Sequence, residues 1–392
     1  MALAPGDQIT RTAGWLQASL LPDAQQRQAA EAALQEGELQ PGHAVALFRL
    51  AVDMTLQIDP VLRQTAAVHM KNVCNRRWDP PTRPLRGEGT RTLPLSDADK
   101  ASIRDNLVEA MCMAAPQVRV QLGTVLRSAA HVDYPDNWPT LLPTICSNIR
   151  TEEANRLHGG LFSLRLLAKV HQFRRERTAP LHALVAETFP LLLGMLRNIL
   201  AAPPSVANSE IALLAAKTMW SAIQSEIPPI LLSPGALGPW FEIILGLLAQ
   251  PLPTDGNVPT DNEEAASWAP WKLKKRVAQI MHRVLQRYGN PGSGKDKQEG
   301  AQEMSFGGAT DQTQMAPSDQ AAQDKAKEAA TRAFARAFQD HVSGKCLQGC
   351  LQLLQRATRK ELLPGRVHNL CLSYIEEAIR YKTTYTAILK PQ

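Results

Sequence analysis

Between Asp59 and Trp78 the apolar side chains keep to one angular position. Leu62, Ala66, Met70, Val73 and Cys74 stand at i, i+4, i+8, i+11 and i+12, the spacing of one face of an α-helix. Arg63, Ala67, Lys71 and Asn75 run down a flank beside that face. Pro60 suits a first helical turn, where its missing N–H has no helical partner. Trp78 and the Asp79-Pro80-Pro81 run end the helix, because proline cannot continue it. A second apolar helix is predicted over His43–Met54. Two such helices cannot bury both their faces alone, so more of the same must stack beside them.

The rest of the chain supplies it. Before this pair the pattern predicts helices over Ile9–Leu20 and Ala24–Glu36, with Asp23 as N-cap. After it come Ser96–Ala114, with Ser96 as cap and Asp99 at N3, and a helix opened by Pro116 whose face is Val118, Leu122, Val125, Leu126 and Ala129. Thr140–Ile149 pairs with Glu153–His171, Pro180–Leu200 with Glu210–Ile227, and Pro239–Leu248 with Trp271–Tyr288 across a polar loop at Pro251–Ser267. In the last of these, Leu273, Val277, Ile280, Met281, Val284 and Tyr288 form a clean stripe, flanked by Lys272, Arg276, Arg283 and Arg287. Gly289–Gln323 has almost no large apolar residue to offset its ordering entropy and reads as disordered. Ala326–Gln339, Cys346–Arg356 and Arg366–Tyr381 resume the pattern.

A helical pair roughly every 40 residues, with no signature shared by each pair, predicts an all-α fold: an α-solenoid, or superhelix, of HEAT-type antiparallel helix pairs. A single bundle is disfavoured by size, since one core stops growing near roughly 300 residues and the chain has 392. The predicted organisation is 1–91, repeats with a basic loop; 92–288, further repeats; 289–325, a disordered low-complexity insert; and 326–392, final repeats of an array that stops there.

Composition agrees with helices: 44% hydrophobic but only 5% aromatic, with no strand-like alternation. A net charge of +6 is modest for this length, but it is uneven. Residues 1–59 hold three basic and seven acidic side chains; residues 60–91 hold seven basic and two acidic. That basic island suits an acidic partner. The six cysteines fall on or beside apolar faces, as buried free thiols of a reducing compartment do. Cys346 and Cys350, with His341 and His368 nearby, fit no zinc spacing. The start MALAPGDQITR has no signal-peptide core, and no span of about 18 uncharged apolar residues is found. A soluble intracellular protein is expected.

Gly289–Lys295 imitates a phosphate loop. It is followed by Asp296 where Ser or Thr is needed, and it follows a helix instead of a strand, so no nucleotide site is assigned. No nucleophile, base or carboxylate pair is assembled. His69 and His131 read as core or interface residues. No enzyme activity, cofactor or metal is expected. Nucleic acid is not expected either, since the basic flanks lack interleaved aromatics.

RQTAAVHMKN with Trp78 six residues on, IRDNLVEAM (Ile103–Met111), VRVQL (Val118–Leu122) and DYPDNWP (Asp133–Pro139) resemble the N-terminal motifs of the importin-β, or karyopherin, family. PWKLKKRVAQIMHRVLQRYGNPG (Pro270–Gly292) resembles the importin-7 and importin-8 branch and its yeast counterparts. Family members are far longer than this chain.

The resemblance implies a nuclear transport receptor with armadillo-like helical repeats. It would bind the GTP form of the small GTPase Ran at its N-terminal repeats and carry protein cargo through the nuclear pore. It would touch phenylalanine-glycine nucleoporins on its outer surface and shuttle between cytoplasm and nucleus. The alternative is a HEAT scaffold without Ran regulation. Arg63, Lys71 and Asn72 are the Ran-binding candidates. Lys272, Lys274, Lys275, Arg276 and Arg283 are a second basic set for Ran or cargo, cargo being of basic or acidic-complementary surface. Trp78, Arg119, Asp133 and Trp138 read as repeat-to-repeat plugs and ties.

Overall fold

The structure is a computed structural model that describes residues 5–81, 92–173, 178–233, 235–289 and 317–381. The chain divides into two compact units, residues 1–174 and 175–392. That boundary falls inside the stretch 92–288, which the sequence reads as continuous. Among the described residues all regular structure is helical.

The first unit holds α1 (Pro5–Ser19), α2 (Ala24–Gly37), α3 (His43–Val52), α4 (Pro60–Arg77), α5 (Asp97–Met113), α6 (Pro116–Asp133), α7 (Leu141–Ile149) and α8 (Ala154–His171). They form four successive pairs. The first members, α1, α3, α5 and α7, pack in sequence, and α4, α6 and α8 make a second layer. Helix α4 ends where its sequence requires. Asp59 accepts the Val61 N–H at 2.6 Å as N-cap, and Trp78 is the C-cap. Leu62, Ala66, Met70, Val73 and Cys74 are all buried, and so is Ala67 of the supposed flank. Ser96 caps α5 through the Asp99 N–H. The Asp99 carboxylate instead reaches the Gly42 N–H at 2.9 and 3.0 Å, tying α5 to the start of α3. In α1, Leu16 is buried and Thr12 takes a core position, while Leu20, just past the helix end, is half exposed.

Close approach of α8 to α5 rests on Gly159. A Cβ there would stand 2.6 Å from the Cys112 Cα and 2.7 Å from its sulfur, too near for backbone to yield cheaply. Gly159→Ala is expected to destabilise the first unit by about 1–3 kcal/mol, read as an earlier urea transition.

The second unit holds α9 (Ala179–Ala201), α10 (Val206–Ala222), α11 (Pro229–Leu232), α12 (Leu237–Ala249), α13 (Asn262–Ser267), α14 (Ala269–Tyr288), α15 (Pro317–Phe338), α16 (Gly344–Thr358) and α17 (Gly365–Arg380). Again there are two layers: α9 packs on α12 and α12 on α16, while α10, α14 and α17 stack in turn. The short helix α13 lies in the stretch the sequence treats as a polar loop, and α11 follows the predicted helix end at Ile227. Asp261 makes α13 possible, accepting the N–H groups of Glu263 and Glu264. Helix α15 begins at Pro317, inside the stretch expected to be disordered; residues 290–316 lie outside the described residues. A π-turn at Gln339–Ser343 joins α15 to α16. The α14 stripe is buried from Leu273 to Val284.

Helix α9 alone among the described helices is long and apolar enough to cross a membrane by length and composition, but it is not an uncharged span. It carries Glu187 and Arg197, and it buries Leu181, Leu184, Val185, Phe189, Leu192 and Leu196 in the unit's core.

Candidate functional site

In the α4–α6–α8 layer, the three helices together contain one carboxylate, Asp133. It is 5% exposed. Its Oδ2 accepts the Trp78 indole N–H at 3.0 Å and an Arg104 N–H at 3.1 Å. Trp78 and Trp138 are both buried, as the reading of plugs and ties expects. The layer's outward charge is therefore cationic.

Most of these cations are spent within the chain. Arg63 donates to the backbone carbonyls of Leu50, Asp53 and Leu56 at 3.4, 2.8 and 2.5 Å. It thus satisfies the orphan carbonyls at the end of α3 and complements that helix's dipole. Its guanidinium is committed to this cap within the fold. Arg76 pairs with Glu38 at 2.5 and 2.7 Å. Arg77 holds the Leu93 and Pro94 carbonyls. Arg119 donates to the Ala114 carbonyl at the end of α5 and meets His158 Nδ1 at 2.8 Å.

Arg156 pairs with Glu109 and Glu153, and Lys169 is also engaged, which leaves Lys71 of α4, Arg127 of α6 and Arg165 of α8. None makes a hydrogen bond or ion pair with another described residue. Ser128 donates to Asn75 Oδ1 at 2.7 Å, so Lys71, one turn before Asn75, and Arg127 flank the same seam. The Arg165 guanidinium is pushed below its usual range, first by burial and then by Arg127. Two arginines that repel each other without a carboxylate between them form a surface suited to an acidic partner. Neither was singled out in sequence: each lies alone in its own helix, and no local charge run marks them. Only the side-by-side packing of α6 and α8 makes them a pair. The one available signal is the absence of exposed acids from both helices.

Asn72 faces the other way. With Leu20, Glu31, Glu38, His69 and Arg76 it lines an open groove of about 640 Å³ between α2 and α4. Lys71 and Asn72 therefore share a helix but front different neighbours.

The second basic set divides similarly. Lys274 is 6% exposed and donates to the carbonyls of Leu248 and Gln250 at 2.6 and 2.7 Å, closing the end of α12. Burial pushes its pKa down to about 7. Arg283 and Arg287 cap α10 through the carbonyls of Gln224 and Ser225. Lys274 and Arg283 are thus structural caps instead of a basic surface: helix ends inside a stacked array need buried donors. Arg276 lies over the Trp220 ring, 5.2 Å from its centroid. Lys272 and Lys275 stay on the surface.

All six cysteines are free and buried, and no group of metal-ligating side chains is found among the described residues. Arg83, Arg86 and Arg91 of the basic island, and the phosphate-loop imitation from Asn290 onward, lie outside the described residues.

The importin-beta N-terminal domain family matches residues 30–112, a stretch containing α3, α4 and nearly all of α5. The importin beta-like SAD2 homolog of Arabidopsis thaliana is 30% identical over 376 residues, 95% of this chain and 32% of its own length. Mouse importin-8 is 27% identical over 274 residues, 69% of this chain and 26% of its own. The chain spans about a third or less of the length of these relatives. Among solved structures, the exportin Cse1 in its cargo-free, cytoplasmic state superimposes with a TM-score of 0.63 at 16% identity, covering 97% of this chain and 43% of that one. The fold is a HEAT-type α-solenoid.

Proposed function

We propose that this chain, a member of the importin-β family, acts in nuclear transport as a receptor that engages Ran in its GTP form through the α4–α6–α8 layer. The observation that carries this reading is the unpartnered basic trio Lys71, Arg127 and Arg165. Its α4 member falls inside the stretch matching the importin-beta N-terminal domain. Asn72 stands apart from the trio, on the α2–α4 groove. Basic charge of this kind sets on-rate and register toward an acidic face more than it sets final affinity.

The receptor carries protein cargo and moves between cytoplasm and nucleus. Phenylalanine-glycine nucleoporins have a candidate seat in the second unit. An open apolar groove of about 250 Å³, lined by Phe189, Leu193, Ile230, Leu231, Pro239 and Trp240, suits single aromatic side chains. Many such weak contacts together give useful avidity.

The test is binding of the chain to Ran loaded with a non-hydrolysable GTP analogue or with GDP. Binding selective for the GTP form is the expected result. A folded, helical chain that binds neither form overturns the Ran reading and leaves a protein-binding HEAT scaffold.

A further inference from the structure

Within the second unit, three cations of one surface patch meet no described partner. Lys272 and Lys275 of α14 stand beside Arg366 at the first turn of α17, the helix packed against α14. None of the three makes a hydrogen bond or ion pair with another described residue, whereas Lys274, Arg283 and Arg287 of the same α14 are committed to carbonyls. Arg276 completes the patch, held in place over Trp220.

The groups that act on Lys275 are all cations. After burial, Arg276, Arg366 and Lys272 lower its pKa in that order. The nearest acids of α17, Glu376 and Glu377, act on His282, further along α14. Arg366 is moreover on the wrong end of its helix. A cation in a first turn opposes the helix dipole, so the fold gains nothing from it there. Lys272, Lys275 and Arg366, like charges gathered from two helices, are relieved by a ligand that brings negative charge.

We infer that the α14–α17 patch formed by Lys272, Lys275, Arg276 and Arg366 is a docking site for an acidic, extended protein segment. Lys272 lies one turn before both Lys275 and Arg276 on α14, a spacing that carboxylates of an extended peptide can span. A single-stranded nucleic acid would need exposed rings for its bases to stack on. Of the indoles near the patch, Trp220 is covered by Arg276 and Trp271 is 1% exposed, which leaves only the half-buried Trp268 one turn before Lys272. The inference rests on the transport reading only in regarding the segment as part of a cargo.

The experiment measures fluorescence anisotropy of a fluorescein-labelled oligoglutamate peptide with the whole chain at physiological ionic strength. Lys275→Glu/Arg366→Glu is compared with Arg11→Glu/Arg150→Glu, which changes net charge equally at unassigned exposed positions. Saturable binding that falls about tenfold or more in the first variant, and stays unchanged in the second, is expected. Lys275→Gln/Arg366→Gln, gentler to the fold, should weaken binding in the same direction. Equal losses in the two charge-reversed variants, no loss in either, or tighter binding of oligouridine at the same residues overturns the inference. Ran binding measured on the same samples fails or survives independently, so the two proposals are distinguishable.

Discussion

Asp133→Ala is expected to lower the stability of the first unit by about 3–5 kcal/mol. One carboxylate oxygen, buried at the end of α6, receives both the Trp78 indole N–H and the Arg104 guanidinium. Arg104 also holds the Asn137 carbonyl. The node joins the end of α4, the middle of α5 and the turn after α6. Alanine removes the acceptor but leaves Arg104, 19% exposed, and an indole inside the packed array. The cost is therefore chiefly that of a buried charge and donor left unmatched. Asp133→Asn keeps an acceptor for one of them and should cost less. Urea unfolding followed by tryptophan fluorescence checks both, and a double-mutant cycle with Arg104→Met should show strong coupling. Additive losses would place the stability elsewhere.

Arg63→Glu is expected to cost about 2–4 kcal/mol, and Lys71→Glu no more than about 0.5 kcal/mol. The two residues lie on the same flank in sequence, yet their surroundings differ. Arg63 threads three donors into the carbonyls at and beyond the end of α3. A carboxylate in its place would face those carbonyls and the negative end of the helix. Lys71 meets no described partner, so reversing its charge leaves the fold unchanged. Thermal unfolding of the two variants side by side separates these outcomes. A Ran-binding defect in Arg63→Glu would follow from a damaged α3–α4 pair, whereas one in Lys71→Glu would report contact.

The helices themselves were legible because the chain is nearly all pattern. The face from Leu62 to Cys74, the face of α6 and the stripe of α14 are each a period of 3.6 with punctuation at both ends, and each is buried as expected. What escaped were elements too short to have a period. Helix α11 is four residues set between prolines, and α13 is six polar residues organised by Asp261. Composition also misled at the start of α15. Its first residues are polar, but they precede an apolar stretch around Phe334 and Phe338 that packs on Tyr288 and Phe241, and the helix extends outward from that anchor.

The site was only half legible for a related reason. Sequence shows where cations are, and not what they face. Arg63, Lys274 and Arg283 look like surface charge on a helix flank, but each is aimed at the carboxyl end of a neighbouring helix, a geometry set by tertiary stacking. Arg127 and Arg165 look isolated and are brought together by the stacking of the first unit, and Arg366 is brought beside Lys275 by that of the second.

The claim that the α4–α6–α8 layer receives Ran is tested most directly by the affinity of Arg127→Glu/Arg165→Glu for Ran loaded with a GTP analogue, with unfolding curves recorded alongside. A loss of about tenfold or more, with an unchanged unfolding midpoint, is the expected result. Wild-type affinity in that variant would contradict it and move the GTPase to another face of the chain.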